Sequence, residues 1–533
     1  MSRLLTLVCL FLAVPVLVVL GSWLTLDAQG LDSLRHQWRT VLPGYAVNSL
    51  LLSVSVAIGV AVVGGGTAVL VTLFEFPLRR SFESALLLPL SMPAYVLAYA
   101  TTDALQFSGA LQVALRSATG ASGALWPDVR SLWGAAGLFI FCLYPYVYLL
   151  TRAALSERGV QLMEAARMLG AGTGRRVREV ALPMARPAVA AGVALALMET
   201  LADYGVGSYF GLQTFTTGIY KAWLVMDDRA AAAQLASLLL AVVALLIVLE
   251  RRARKGARYA GSRGMANAGS EARPLPLRGA RAALAVAACG VPILLGFALP
   301  VLVLLRLMVQ ELNGTELNVP LERFAQSAWV SFKLAALAAV LATLVAATLA
   351  FTLRTRPGRP LRWAVDVVSL GYAVPGAVIA VGILLPLAGL QRLAPQWHSS
   401  AIVTGTLFGV LYAYQVRFSS VALQSLEAGY ARIPAAIDET ARTLGVSRWR
   451  LLTRLHAPLL KRAALAALLL VFVDVMKELP ATLVLRPFNS DTLAVLAYQL
   501  ARDERLGEAA LPSLAIVLVG LFPVMLLSRA MRR

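Results

Sequence analysis

Glu164-Ala165-Ala166-Arg167-Met168-Leu169-Gly170, followed by Leu182-Pro183, recurs as Glu439-Thr440-Ala441-Arg442-Thr443-Leu444-Gly445, followed by Ala457-Pro458. The copies lie 275 residues apart, and in both Gly follows Glu by six residues and Pro follows Gly by thirteen. Each copy is a polar, Arg-rich island in an otherwise apolar chain. The run ahead of each Gly consists of helix formers, and the small residues Ala165, Ala166, Thr440 and Ala441 give it a low profile. Gly170 and Gly445 stand where a helix C-cap belongs, because Gly takes the left-handed cap conformation without steric cost. A second short helix is predicted after each, carrying Arg175, Arg176 and Arg178 or Arg448, Arg450 and Arg454. Pro183 and Pro458 should interrupt it, lacking the N–H that continues the ladder. The expected unit is a small helix-turn-helix at the membrane surface, shaped to seat in a partner's groove.

Around these islands the chain reads as membrane. Of its 533 residues 59% are hydrophobic and 14% charged, against about 25% charged in globular chains, which excludes a soluble enzyme. Apolar runs long enough to span a bilayer as helices recur at 4–26, 47–74, 83–101, 131–151, 187–206, 231–249, 283–308, 327–352, 364–389, 401–416, 463–484 and 510–528. They lack the alternation of a membrane barrel, so the fold class is an all-α membrane protein of about twelve transmembrane helices. The run from Leu4 to Leu26 exceeds the apolar core of a signal peptide, and no small-residue cleavage site follows; it is read as a retained first span. Cys9, Cys142 and Cys289 all fall in apolar spans and suggest packing, with no disulfide or metal framework. His36, His398 and His456 are scattered, which argues against a His-based metal site.

A net charge of +20 raises nucleic acid as a partner, but its placement points to topology. With a cytosolic N-terminus and twelve spans, 34 of the 48 Lys and Arg fall on the cytosolic side, 11 outside, and three (Arg306, Lys333, Lys477) within spans. Such a bias in short loops sets orientation. It implies that both termini are cytosolic, and the basic stretches are read as solvated or facing lipid headgroups.

Nine Lys and Arg with a single acid, set among Gly, Ser and Ala, make 251–282 a flexible basic linker. It separates a first half, 1–250, with its island within 152–186, from a second, 283–533, with its island within 417–462. The halves share further landmarks: Asn48-Ser49 with Gln326-Ser327, Pro93 with Pro375, and Leu143-Tyr144-Pro145-Tyr146 with Leu411-Tyr412-Ala413-Tyr414. Six spans per half make the repeats parallel, related by an axis along the membrane normal.

The fifth span of each half carries two acids, Glu199 and Asp203, then Asp474 and Glu478, related by the same 275-residue shift. The i, i+4 spacing puts each pair on one helix face. Charges within spans are costly and mostly face a bundle interior or a water path. Four carboxylates toward a central axis would suit a cation, since hard cations prefer oxygen. The competing reading is structural: Lys477 neutralises part of the set and the rest sit at a wet helix end. The outward segments 311–323 and 491–508 are too short to form a solute-binding domain. Asp503, Glu504 and Glu508 serve there either as a receiving surface or simply for solubility.

The duplicated pattern Glu-Ala-Ala, three residues, Gly, spacer, Pro resembles the signature loop of membrane-spanning permeases of bacterial binding-protein-dependent ABC importers. The second copy departs from it at Thr440 and Ala457. The resemblance implies the type I importer permease fold and the bacterial inner membrane. It implies that each loop, through Glu164, Ala165, Ala166, Gly170 and Pro183 or Glu439, Thr440, Ala441, Gly445 and Pro458, contacts one of two copies of an ATPase subunit. It also implies a periplasmic binding protein that delivers solute. No Gly-x4-Gly-Lys-Ser/Thr phosphate loop occurs in the sequence; the chain is read as a permease without enzymatic activity or cofactor of its own, ATP and Mg being bound by the partner. The stretches 194–205, 214–220, 474–482 and 485–489 resemble the fused twelve-span permeases of ferric-iron importers, which implies Fe3+ as cargo. Related fused permeases for thiamine and other small cationic solutes leave those as the alternative. A secondary transporter is a remoter one, since it has no use for docking islands.

Overall fold

The computed structural model describes residues 2–25, 28–258, 274–313, 321–356, 358–393 and 403–531. In chain order its principal helices are α1 (Ser2–Gly21), α2 (Leu42–Leu73), α3 (Ala94–Leu105), α4 (Leu132–Met168), α5 (Leu182–Ala202), α6 (Arg229–Arg258) and α7 (Ala280–Leu312). The second half supplies α8 (Leu321–Thr355), α9 (Gly376–Leu393), α10 (Phe408–Tyr430), α11 (Ala435–Thr443), α12 (Ala457–Lys477), α13 (Leu493–Arg502) and α14 (Leu506–Met531). The all-α class holds.

Eight helical stretches among the described residues are long and apolar enough to cross a membrane, and two further pairs qualify if each bent pair counts as one span. The bent pairs, Arg79–Ser91 with Ala94–Thr119 at 96° and Arg359–Ala373 with Gly376–Gln391 at 116°, occupy the expected spans 83–101 and 364–389. Both break at the matched prolines. Met92 and Val374, each preceding its Pro, are extended (ψ 114° and 122°), as the proline ring demands of its predecessor. Of the remaining expected spans, 401–416 meets α10 only from Phe408 onward and 463–484 meets α12 only as far as Lys477, while residues 401–402 lie outside the described residues. Neither meets the apolar criterion. Gln415, Arg417, Ser419 and Ser420 interrupt α10, and Lys461, Arg462, Asp474 and Lys477 interrupt α12.

The chain forms two compact units. One comprises Met1–Gln37, Ile219–Leu240 and Val319–Leu496, the other Trp38–Gly218, Ala241–Asn318 and Ala497–Arg533. Neither is a contiguous half.

In the second of these, α2, α4 and α5 pack on one another, while α7 packs on α14 and on α3. The helices of the trio approach closely at Gly64 and Gly192. A Cβ at Gly64 would stand 2.5 Å from the Tyr144 carbonyl oxygen, and one at Gly192 would stand 2.5 Å from Val147 Cα. Small residues permit this backbone approach.

In the other unit α8, α10 and α12 form the corresponding trio, with Ala342 and Ala467 fully buried. Here α1 packs on α9 and on the helix Arg359–Val368. Phe11 stacks on Tyr412 with ring centroids 4.5 Å apart, and Tyr412 Oη donates to the Phe11 carbonyl at 2.5 Å. Each unit thus builds its trio from one half of the sequence and takes flanking segments from the other.

The expected linker is ordered at both ends. α6 continues through Arg258, and Phe74–Glu75 pairs in parallel with Leu275–Pro276 before α7 begins. Residues 259–273 lie outside the described residues.

Candidate functional site

Each island forms a capped loop. The first begins on α4, where Glu164 and Ala165 are exposed and Ala166 is half-buried; Glu439, Thr440 and Ala441 on α11 repeat that pattern. Gly170 and Gly445 have φ of +80° and +68°. The Gly170 N–H donates to the Arg167 carbonyl at 2.9 Å and the Ala171 N–H to the Ala166 carbonyl at 3.0 Å. Gly445 to Arg442 and Val446 to Ala441 repeat both bonds at 3.0 Å. This 5→2 and 6→1 pair is a Schellman cap. Only a residue at ease in the left-handed region closes it, hence the Gly. The tips are apolar and open: Met168 and Leu169 are 88% and 87% exposed, and Leu444 and Trp449 are 75% and 73% exposed.

The expected interruption at the prolines is not what forms. After Thr173–Arg176 the backbone makes a π turn, Val177–Ala181, and runs on as α5; after Arg448–Arg450 it makes a π turn, Leu451–His456, and runs on as α12. Residues Thr173–Ala202 are one continuous helical stretch. The prolines stand in the first turn after the widened one, at positions where a missing N–H is tolerated. Both loops therefore enter their fifth-span helix without a break.

At the far ends of α5 and α12 stand the four acids. Glu478 is buried; its carboxylate accepts from the Ala481 N–H (3.0 Å), the Thr482 N–H (3.1 Å) and the Thr482 hydroxyl (2.6 Å), and Arg417 lies 3.4 Å away. Asp203 likewise accepts from the Val206 N–H at 2.8 Å. Both acids cap the short helices that follow, Gly205–Tyr209 and Pro480–Leu485. Glu199, Asp203 and Asp474 are half-buried. Asp474 and Glu478 belong to one compact unit, Glu199 and Asp203 to the other.

By its place in the sequence, one residue past the expected span 401–416, Arg417 falls among the cytosolic charges. It is buried in α10, and its position inside an apolar run from Val410 to Phe418 was the signal available. Two tyrosines, Tyr220 and Tyr498, stand beside the short helices that follow the acids. Tyr220 Oη donates to the Pro480 carbonyl, within one unit. Tyr498 Oη lies 2.8 Å from Ser208 Oγ and 3.4 Å from Tyr204 Oη, within the other. Each ties a flanking segment to the short helix behind a capping acid. Among the described residues no group of three or more His, Cys, Asp or Glu is disposed to hold a metal ion.

The family described as binding-protein-dependent transport system inner membrane component matches residues 57–255 and again 339–533. The chain is 26% identical to the Fe(3+)-transport system permease protein FbpB 2 of Haemophilus influenzae over 90% of its own length and 89% of that protein's. PhnV of Salmonella typhimurium, named as a 2-aminoethylphosphonate transport system permease, is 28% identical over 42% of this chain and 82% of its own. The molybdenum transport system permease protein ModB of Escherichia coli K12 is 28% identical over 40% of this chain and 91% of its own. The chain belongs to the family of binding-protein-dependent transport system inner membrane components and carries that domain twice, as a fused multi-pass permease.

Proposed function

We propose that this chain is the permease subunit of an ATP-driven importer that passes ferric iron, delivered by a periplasmic binding protein, into the cytoplasm. The observation that carries the transport class is the duplication: two exposed loops with the same cap, each running unbroken into the fifth-span helix of a matched domain. Two copies of an ATPase subunit, holding ATP and Mg, dock on them through Glu164, Ala165, Ala166 and Gly170 and through Glu439, Thr440, Ala441 and Gly445. Pro183 and Pro458 start the rigid stretch that carries the motion inward. Closure of the ATPase pair drives the permease between outward- and inward-open states, and both termini lie in the cytoplasm.

Iron is supported by the Haemophilus relative, which is similar along nearly the whole chain, whereas the relatives named for 2-aminoethylphosphonate and molybdenum are similar over less than half. For the acids, the hydrogen bonds favour helix capping at Asp203 and Glu478. Uptake of radiolabelled ferric iron by iron-limited cells should be lost on deletion of the chain and restored by its expression. Unchanged iron uptake, with loss of thiamine or another small solute's uptake instead, overturns the cargo while leaving the permease.

A further inference from the structure

Behind the two matched loops the chemistry differs. In the first, Leu155, Met163 and Ala181 lie in a buried apolar cluster with Val69, Leu73 and Ala185. The same 275-residue shift turns these three into Tyr430, Asp438 and His456. Asp438, next to the motif's Glu439, is buried. Its Oδ2 accepts from Arg354 Nε at 2.6 Å, and its Oδ1 lies 2.7 Å from His456 Nε2. His456, fully buried, places Nδ1 3.3 Å from Tyr430 Oη and sets its ring edge-on to Tyr430 and Phe351. Arg354, at the end of α8, also donates through Nη2 to the Ile433 carbonyl at 2.8 Å, just ahead of α11.

We propose that Asp438 is a positioning residue for ATP-driven coupling: with Arg354, His456 and Tyr430 it locks the second docking loop to α8 and to the π turn entering α12. At the matched positions of the first loop, Leu155, Met163 and Ala181, apolar packing stands in its place. The proposal rests on the reading of the loops as ATPase contacts.

Apolar packing specifies volume more than direction, so a loop seated on Leu155, Met163 and Ala181 can slide against its bed. A buried network whose members are all bonded admits one geometry. Arg354 spans both Asp438 and the turn before α11, so a push on Glu439 reaches α8 and α12 together. The forked guanidinium makes both bonds at once, which an ammonium does not reproduce. The two ATPase contacts, alike in outline, are then unlike in stiffness.

The test uses the full chain assembled with its ATPase subunits, reading MgATP hydrolysis and copurification. Asp438→Asn and Arg354→Lys should still copurify the ATPase and keep its KM for ATP. Their kcat should fall roughly 10-fold, the scale of one buried charge-assisted hydrogen bond, and Asp438→Glu should recover part of it. The triple variant Tyr430→Leu, Asp438→Met, His456→Ala installs the first loop's own packing and so keeps a folded bed. It should show the same loss of kcat. Wild-type kcat in that triple variant, with ATPase bound, overturns the lock. Absence of ATPase from the purified wild-type chain instead overturns the docking reading beneath it.

Discussion

Gly170 and Gly445 hold backbone angles that cost an L-residue with a side chain roughly 1–2 kcal/mol. Gly445→Val should open the cap and weaken ATPase copurification several-fold, while Val446→Ala should leave it intact. Asp438 is pulled two ways: burial raises its carboxyl pKa, and the hydrogen bonds and charges of Arg354 and His456 lower it and prevail, so that it lies below the ordinary 3.8. A depressed folded value stabilises above the unfolded one and is lost as pH falls through the folded one. Asp438→Ala should therefore cost about 3 kcal/mol. Its melting-temperature gap from wild type should be present above the unfolded carboxyl value and should close as pH falls through the depressed folded one. The caps were legible in sequence because Gly at a fixed offset is itself the signal. The lock was not, because Arg354 stands 84 residues from Asp438 and nothing local pairs them.

The matched π turns show what a repeated proline does at the scale of a helix. A π turn adds one residue to a turn and so rotates everything before it by about 100° relative to everything after. Pro183→Ala restores an N–H and lets the turn tighten. We expect the α5 register to shift relative to the Gly170 tip and transport to fall more than stability does, as read by uptake against melting temperature. Gly192→Val, by contrast, should act on packing alone: its Cβ meets the α4 backbone, and a cost of about 3 kcal/mol should appear as lost expression. Span positions could be read from apolar runs, and the bends at Pro93 and Pro375 follow from residue type. The continuity through Pro183 and Pro458 could not be read, since proline's effect depends on the turn preceding it. α10 and α12 were found by hydropathy, yet their polar residues marked what the runs conceal: Arg417 against Glu478 in one unit.

At the scale of the whole molecule the repeat was legible and the exchange of segments was not, because periodicity says which faces are buried but not against which half. Cutting within 259–273 should therefore leave two pieces, 1–258 and 274–533, neither of which owns a complete unit. Co-expressed, they should copurify and transport; expressed singly, each should be degraded, and stable single pieces would contradict the exchange. α1 belongs with residues 319–496, so during synthesis it leaves the ribosome some three hundred residues ahead of its bed. It has to wait in lipid as a lone helix, and it is accordingly the most apolar of the eight long spans, with no charge between Leu4 and Leu24. α10 and α12 arrive after α1, α8 and α9 of their unit, and they carry Arg417, Asp474 and Lys477, charges that lipid would reject. Within this unit the place of polarity follows the order of synthesis: α1, made first, is self-sufficient in lipid, and α10 and α12, made later, lean on partners already in the membrane.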